Sequence, residues 1–266
     1  MMPVSSAAAL GPAAETAGMA SPWYVVPEPR PEAGVRLLCF PYAGGGAGAF
    51  TSWLPHLPGS VELVAVQLPG RGGRSGEQPW TSLEALADGI AAGIGPLLDR
   101  PVAFFGHSMG ALLAFEVARR QCEPVALYAS AFSAPQLLIA ERTLWRLTDE
   151  QLRQRLVELG GVPADLLGDE RLIEMALPVL RADISACDSY IYQAGDPLAC
   201  PIACFGGMQD RVVTGPELAA WEAQTTGPFT QQLFPGGHFY WSSDGALPLL
   251  LWTVTRHLAD IRRDRS

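Results

Sequence analysis

A mostly parallel β-sheet with helices on both faces is the fold class this sequence predicts. Three observations predict it. Short apolar runs of strand length alternate with stretches of helical spacing. Those runs are apolar along almost their whole length rather than at every second residue, so both faces of the sheet must be covered. And 266 residues with 48% hydrophobic content suffice for one large α/β domain.

In chain order, residues 1–22 are rich in Ala, Ser and Pro, lack a basic leading region and have their apolar stretch interrupted by Glu15. They predict a disordered tail rather than a secretory signal, with Met19 as an alternative start. Residues 23–266 predict a single domain. "VRLLCF" (35–40) and "VELVAV" (61–66) are buried strands, bounded by "PYAGGGAG" and "LPGRGGRSG". Residues 81–98 read as a helix opened by a capping box from Thr81 to Glu84. "PVAFF" is a strand, followed by a helix over about 110–121 and the strand "PVALYAS" (124–130).

The rhythm then breaks. From about 134 to 195 the pattern is helical without a convincing strand, and Thr148 to Gln151 forms another capping box, which predicts a helical insertion. The alternation resumes with "PIACFGG" (201–207), a helix over 215–224, "FTQQLF" (229–234) and a last helix over about 246–261.

Composition narrows the partners. The 18 basic residues are all arginine against 27 acidic ones, a formal charge of −9, which disfavours nucleic acid. No apolar run approaches the roughly 18–20 residues that span a bilayer. The five cysteines, at 39, 122, 187, 200 and 204, show neither a disulfide framework nor zinc-site spacing. A reduced, cytoplasmic monomer is expected, with Cys200 and Cys204 as small buried residues beside a strand.

Chemistry enters at Gly106-His107-Ser108-Met109-Gly110. This fits G-x-S-x-G, the turn that lifts a serine hydroxyl above the sheet edge. The pattern alone is weak, but here it joins an apolar strand to an amphipathic helix, the setting such a turn needs. A serine nucleophile requires a general base and a third group to orient that base. Of four histidines, His107 lies inside the turn and points elsewhere, His56 lies in a short helix, and His257 sits in the last turns of the final helix, where a cation suits the dipole. His238, in "LFPGGHFYW", follows a strand and two glycines on a loop and is the candidate base.

The acid should leave the sheet between serine and histidine. Asp210, after "CFGG", does so; Asp183 and Asp188 fall in the insertion, where they read as solvated or lid-positioning carboxylates, and Asp244 reads as a cap of the last helix. Backbone N–H donors for an oxyanion are expected from Met109, which follows the serine, and from Ala43 in the loop "FPYAGGG".

These residues resemble the stand-alone type II thioesterases that accompany modular polyketide and nonribosomal peptide synthases. The resemblance covers about residues 23–260 and rests on "LLCFPYAGG", "VQLPGRGGR", "FFGHSMGALLAFEVAR", "LPVLRADI", "FGGMQD" and "PGGHFYW", in that order. It implies an α/β-hydrolase fold with a helical lid, and a Ser108–His238–Asp210 triad that hydrolyses acyl groups from the phosphopantetheine arm of acyl or peptidyl carrier proteins. Carriers of that family are usually acidic and this chain carries −9, so weak, transient binding is expected, and the ready departure of a thioester's sulfur makes a metal or cofactor unnecessary. Family members often carry more acid just before the triad aspartate, where this chain has Met208 and Gln209.

Within that frame, Leu144, Trp145, Leu177 and Leu180 of the insertion are expected to face acyl chains. Three rivals stay open on sequence: an acyltransferase, which shares the G-H-S-x-G turn but does not require the late aspartate and "GGH"; an ordinary esterase or peptidase on the same fold; and an inactive binding scaffold.

Overall fold

A strand apolar on both faces is stable only inside two layers of helix, and the computed structural model, which describes residues 21–121, 123–138, 144–161, 170–242 and 245–264, has that arrangement. Seven strands form one sheet in the order β1-β3-β2-β4-β5-β6-β7. They are β1 (Tyr24–Val25), β2 (Val35–Phe40), β3 (Val61–Val66), β4 (Val102–His107), β5 (Leu127–Ser130), β6 (Ile202–Gly207) and β7 (Phe229–Phe234). All pair in parallel except β1, which runs antiparallel to β3. This edge strand of two residues carries no pattern that sequence could reveal.

Alternate residues divide the core. Leu38, Phe40, Val64, Val66 and Phe104 pack beneath α1 (Leu83–Gly93) and α2 (Met109–Arg120). Leu37, Cys39, Leu63, Ala103 and Phe105 face the 3-10 helix Ala47–His56 and α6 (Ala246–Asp264). Even the charged residues inside the strands are buried, because they meet: Arg36 and Glu62 are register partners on β2 and β3, with Arg36 Nε 2.7 Å from Glu62 Oε2. β7 is different. Its Thr230 and Gln231 are exposed, as befits the free edge of the sheet.

Helix starts follow the core. The cap expected at Thr81 is instead Ser82, whose hydroxyl accepts the Ala85 N–H at 3.1 Å. That register sends Leu83, Leu86, Ala87 and Ile90 inward. The helix then stops at Gly93, and Gly95-Pro96 continues as a 3-10 turn. The helix expected over 215–224 splits into α5 (Gly215–Ala219) and a 3-10 segment, Ala220–Gln224.

Between β5 and β6 the described α-helices are α3 (Asp149–Leu159), opened by the expected Thr148–Gln151 capping box, and α4 (Glu170–Ser189). Residues 1–20, Cys122 and Asp244 lie outside the described residues, so the tail and the expected Asp244 cap are not described. Among the described residues no helix is long and apolar enough to cross a membrane.

Strand register determines which loops become neighbours. Phe40 of β2 pairs with Gly106 of β4, so the loop after β2 emerges beside the turn after β4. Gly207 of β6 pairs with Phe234 of β7, which brings the loops carrying residues 210 and 238 together. All four loops leave the carboxyl rim of the sheet, the usual place for an α/β site.

Candidate active site

Ser108 occupies the junction of β4 and α2 with φ 53° and ψ −125°, a backbone conformation that a side chain rarely adopts. Such a residue costs on the order of 1–3 kcal/mol, which the surroundings must offset. Here the Ser108 N–H donates to Ser130 O at 2.8 Å and the Ser108 carbonyl accepts from Ala111 N–H at 2.8 Å. The flanking glycines are steric requirements. A Cβ on Gly106 would lie 2.1 Å from the Gly110 carbonyl oxygen, and one on Gly110 would lie 2.1 Å from the Phe40 oxygen. The second contact presses the start of α2 against the end of β2 and its loop.

The Asp210 carboxylate is divided between two tasks. Oδ1 accepts the N–H groups of Val212 at 2.8 Å and Val213 at 3.4 Å, which holds the side chain against its own turn; Oδ2 lies 3.0 Å from His238 Nδ1. Both side chains are withdrawn from solvent, 1% and 4% exposed, so the contact is shielded. With Nδ1–H donated to the carboxylate, Nε2 is the basic nitrogen of His238. Gln209, one residue before Asp210, ties the two loops: its side-chain oxygen accepts the Gly236 N–H at 2.6 Å and its N–H donates to Gly236 O at 2.9 Å. Gly207 completes the arrangement, since a Cβ there would meet the Gly237 oxygen at 2.1 Å.

Ser108 and His238 line the same cavity of about 120 Å3, with Ala43 and Met109 beside them. Among the described residues no hydrogen bond joins the serine hydroxyl to the imidazole, a contact that catalytic sites often tighten only around substrate. The cavity is largely apolar: Phe132 from the rim after β5, Leu144, Leu156, Leu180 and Ile184 from the insertion, and Val212. Of the four insertion residues expected to face it, Leu144 and Leu180 do. Leu177 does not line it and instead packs with Leu152, Leu156 and Ile184, while the Trp145 side chain is 47% exposed outside. Helical spacing marks a buried stripe without saying which of its two neighbours, body or cavity, each residue meets.

The remaining histidines have structural surroundings. His107 points beneath the site: its Nδ1 lies 2.9 Å from Ser130 Oγ, which in turn lies 2.8 Å from the Tyr240 hydroxyl. Its ring lies edge-on to Trp241 at 3.9 Å and tilted against His238 at 5.0 Å, centroid to centroid. Burial, and then the charge of His238, holds its pKa well below the ordinary imidazole range, so it remains neutral near pH 7. His257 does not serve the expected role of a helix-end cation. Burial lowers its pKa, and its Nδ1 lies 3.2 Å from the Tyr128 hydroxyl.

Asp183 and Asp188 are not solvated. Asp188 accepts the Trp145 N–H at 3.1 Å, and Asp183, fully buried on α4, meets Arg71 and the loop after β2. Arg71 and Gln209 were not among the sequence candidates; both stand in quoted motif strings, but nothing in one sequence pairs residue 71 with residue 183.

The profile of the "Thioesterase domain" family matches residues 35–257 of the chain. The gramicidin S biosynthesis protein GrsT of Aneurinibacillus migulanus is 44% identical over 223 residues, covering 82% of this chain and 87% of that one. Among solved structures, the RedJ thioesterase from the prodiginine biosynthetic pathway of Streptomyces coelicolor is similar with a TM-score of 0.78 and 40% identity, over 85% of this chain and 87% of that one. The type II thioesterase BorB from the borrelidin biosynthetic cluster has a TM-score of 0.82 at 38% identity, over 89% and 97% respectively.

Proposed function

The chain belongs to the thioesterase family, and from that premise we propose that it frees acyl groups from the phosphopantetheine arm of acyl or peptidyl carrier proteins through Ser108, His238 and Asp210. It is a thioester hydrolase of the serine-hydrolase class, of the editing type that accompanies synthases. The observation that carries the assignment of residues is the imidazole–carboxylate contact of 3.0 Å at the wall of an apolar cavity that also exposes a strained serine.

The reaction follows from that geometry. His238 Nε2 takes the Ser108 proton as Oγ attacks the thioester carbonyl, and Asp210 keeps the proton on Nδ1 and stabilises the imidazolium. The oxyanion is received by the N–H groups of Met109 and Ala43. Met109 opens α2, where the first N–H groups have no intrahelical acceptor. The carbon–sulfur bond then breaks, the pantetheine sulfur takes the proton from Nε2, and water activated by the same nitrogen hydrolyses the acyl-serine. A thiol is a good leaving group, so the scheme requires neither metal nor cofactor.

The acyl group occupies the apolar cavity beneath the insertion, which acts as its lid. The phosphopantetheine arm suits the neighbouring, more polar groove lined by Gln209, Arg211 and Ser242, which shares His238 with the cavity. The carrier partner binds weakly and transiently, because carriers of the resembling family are acidic and this chain carries a net charge of −9. A cytoplasmic monomer belongs to the same proposal. The test is deacylation of acyl-loaded carrier proteins followed by intact mass, beside an oxyester of the same acyl group. The parent should hydrolyse the thioester in preference, and Ser108→Ala should lose at least about a thousandfold. Equal rates for parent and variant would refute the assignment, and a preference for the oxyester would indicate an ordinary esterase.

A further inference from the structure

The loop proposed to supply an oxyanion donor is shaped by two polar contacts that the reaction itself does not use. Residues 42–45 form a tight turn in which the Gly45 N–H donates to Tyr42 O at 2.8 Å, and Gly44 at its third position has φ +80°. The Tyr42 carbonyl and the Ala43 N–H belong to one planar trans peptide and point in opposite directions. Holding that carbonyl inside the turn therefore aims the Ala43 N–H outward.

The turn is in turn held from the insertion. The Gly44 N–H donates to Asp183 Oδ2 at 2.7 Å, which fixes the next peptide plane. Asp183, on α4, is 0% exposed and receives both ends of the Arg71 guanidinium, Nη1 at 2.5 Å on Oδ2 and Nη2 at 2.7 Å on Oδ1. Arg71 Nη1 also donates to Gly45 O at 3.1 Å, and Nε to Pro69 O at 3.3 Å. One carboxylate and one guanidinium thus clamp an N–H and a C=O on either side of the turn. Leu180, one helical turn before Asp183, packs on the same glycine: a Cβ on Gly44 would lie 3.2 Å from Leu180 Cδ1.

We propose that Asp183 and Arg71 are positioning residues for the oxyanion hole: the lid helix, through Asp183, holds the Ala43 N–H in its working direction, so that the hole is complete only while α4 is seated on the loop. Neither side chain touches substrate. The inference deepens the proposed thioesterase mechanism and rests on it. It predicts a loss confined to the transition state, because the ground-state thioester does not need the donor that the tetrahedral oxyanion needs.

The test replaces the pair with uncharged residues, Arg71→Met with Asp183→Leu, which avoids stranding one buried charge; Arg71→Gln with Asp183→Leu, which also removes the acceptor of the Gly44 N–H, serves if the first pair does not fold. Turnover of an acyl thioester is measured together with the affinity for a trifluoromethyl ketone, which binds as a tetrahedral adduct, and for a non-hydrolysable thioether analogue. The expected result is a fall in kcat of about tenfold to a few hundredfold, of the order seen when a single oxyanion donor is lost, with KM nearly unchanged. Affinity for the ketone should fall in parallel and affinity for the thioether should hold. A folded variant with kcat within about twofold of the parent overturns the inference, as do equal losses of affinity for both ligands. If Ser108→Ala also retains turnover, the hydrolase mechanism fails; if only the clamp variant is normal, that mechanism stands and the clamp alone is refuted.

Discussion

The sheet and the segment inserted after β5 do their work by different means. On the sheet, function is carried by backbone geometry: register sets Phe40 beside Gly106 and Gly207 beside Phe234, and glycines allow the contacts that follow. A large two-sided core maintains this geometry. In the insertion, Leu152, Leu156 and Ile184 form a small buried cluster of their own, Ala186 and Tyr190 join the body core, and the insertion meets the rim through a few side chains, among them Asp183. The lesson is a division of labour. Under the proposed mechanism, a rigid rim holds the reacting groups, while the cover decides what they meet and, through Asp183, when one oxyanion donor is in place.

The contrast can be broken most sharply on the rim. Asp210→Asn keeps the shape of the carboxylate but offers Nδ1 the wrong partner, and deacylation should fall about 10³–10⁴-fold with little change in melting temperature. A loss below tenfold would remove Asp210 from the mechanism.

Next in size is a pair of core truncations. Phe104→Ala, in the body core, should lower unfolding free energy by about 3–5 kcal/mol in urea melts, whereas Leu156→Ala, in the insertion, should shift the global transition by less than about 1 kcal/mol while raising relative turnover of bulkier acyl thioesters. Equal shifts would show that both regions unfold as one unit.

The smallest effect concerns pH. His107 stays neutral in the folded chain because burial depresses its pKa, whereas the unfolded chain takes up a proton there as pH falls through about 6.5. The folded state binds fewer protons, so acidification below that point costs stability, at most about 1.4 kcal/mol per pH unit from this group. Urea melts at pH 7 and 5.5 should show the loss in the parent and a shallower slope in His107→Gln.

Legibility in the sequence follows the same division. β2, β3 and β7 match their expected bounds residue for residue: continuous apolar runs mark the buried β2 and β3, while the half-exposed β7 is bounded by the Gly and Pro residues on either side of FTQQLF. The serine turn, Asp210 and His238 could be named because each follows a strand on a glycine-marked loop. Features that depend on one atom meeting another far along the chain could not. Arg71 finds Asp183 across 112 positions, and His107 turns beneath His238 rather than away from the site. In the insertion, the periodic apolar residues were visible, but only Leu144 and Leu180 of the four candidates line the cavity, since periodicity gives a face and not its neighbour.

The account stands on one covalent event at the rim. Mixing the parent with an acyl thioester, quenching in acid within the first turnover and mapping peptides by mass spectrometry tests it directly, because acid protonates His238 and stops the water attack that clears the intermediate. The expected result is the added acyl mass on the peptide containing Ser108, and its absence in the Ser108→Ala variant. An acyl group attached elsewhere, on Cys187 of the cavity wall for example, or turnover that survives loss of the Ser108 hydroxyl, would contradict it.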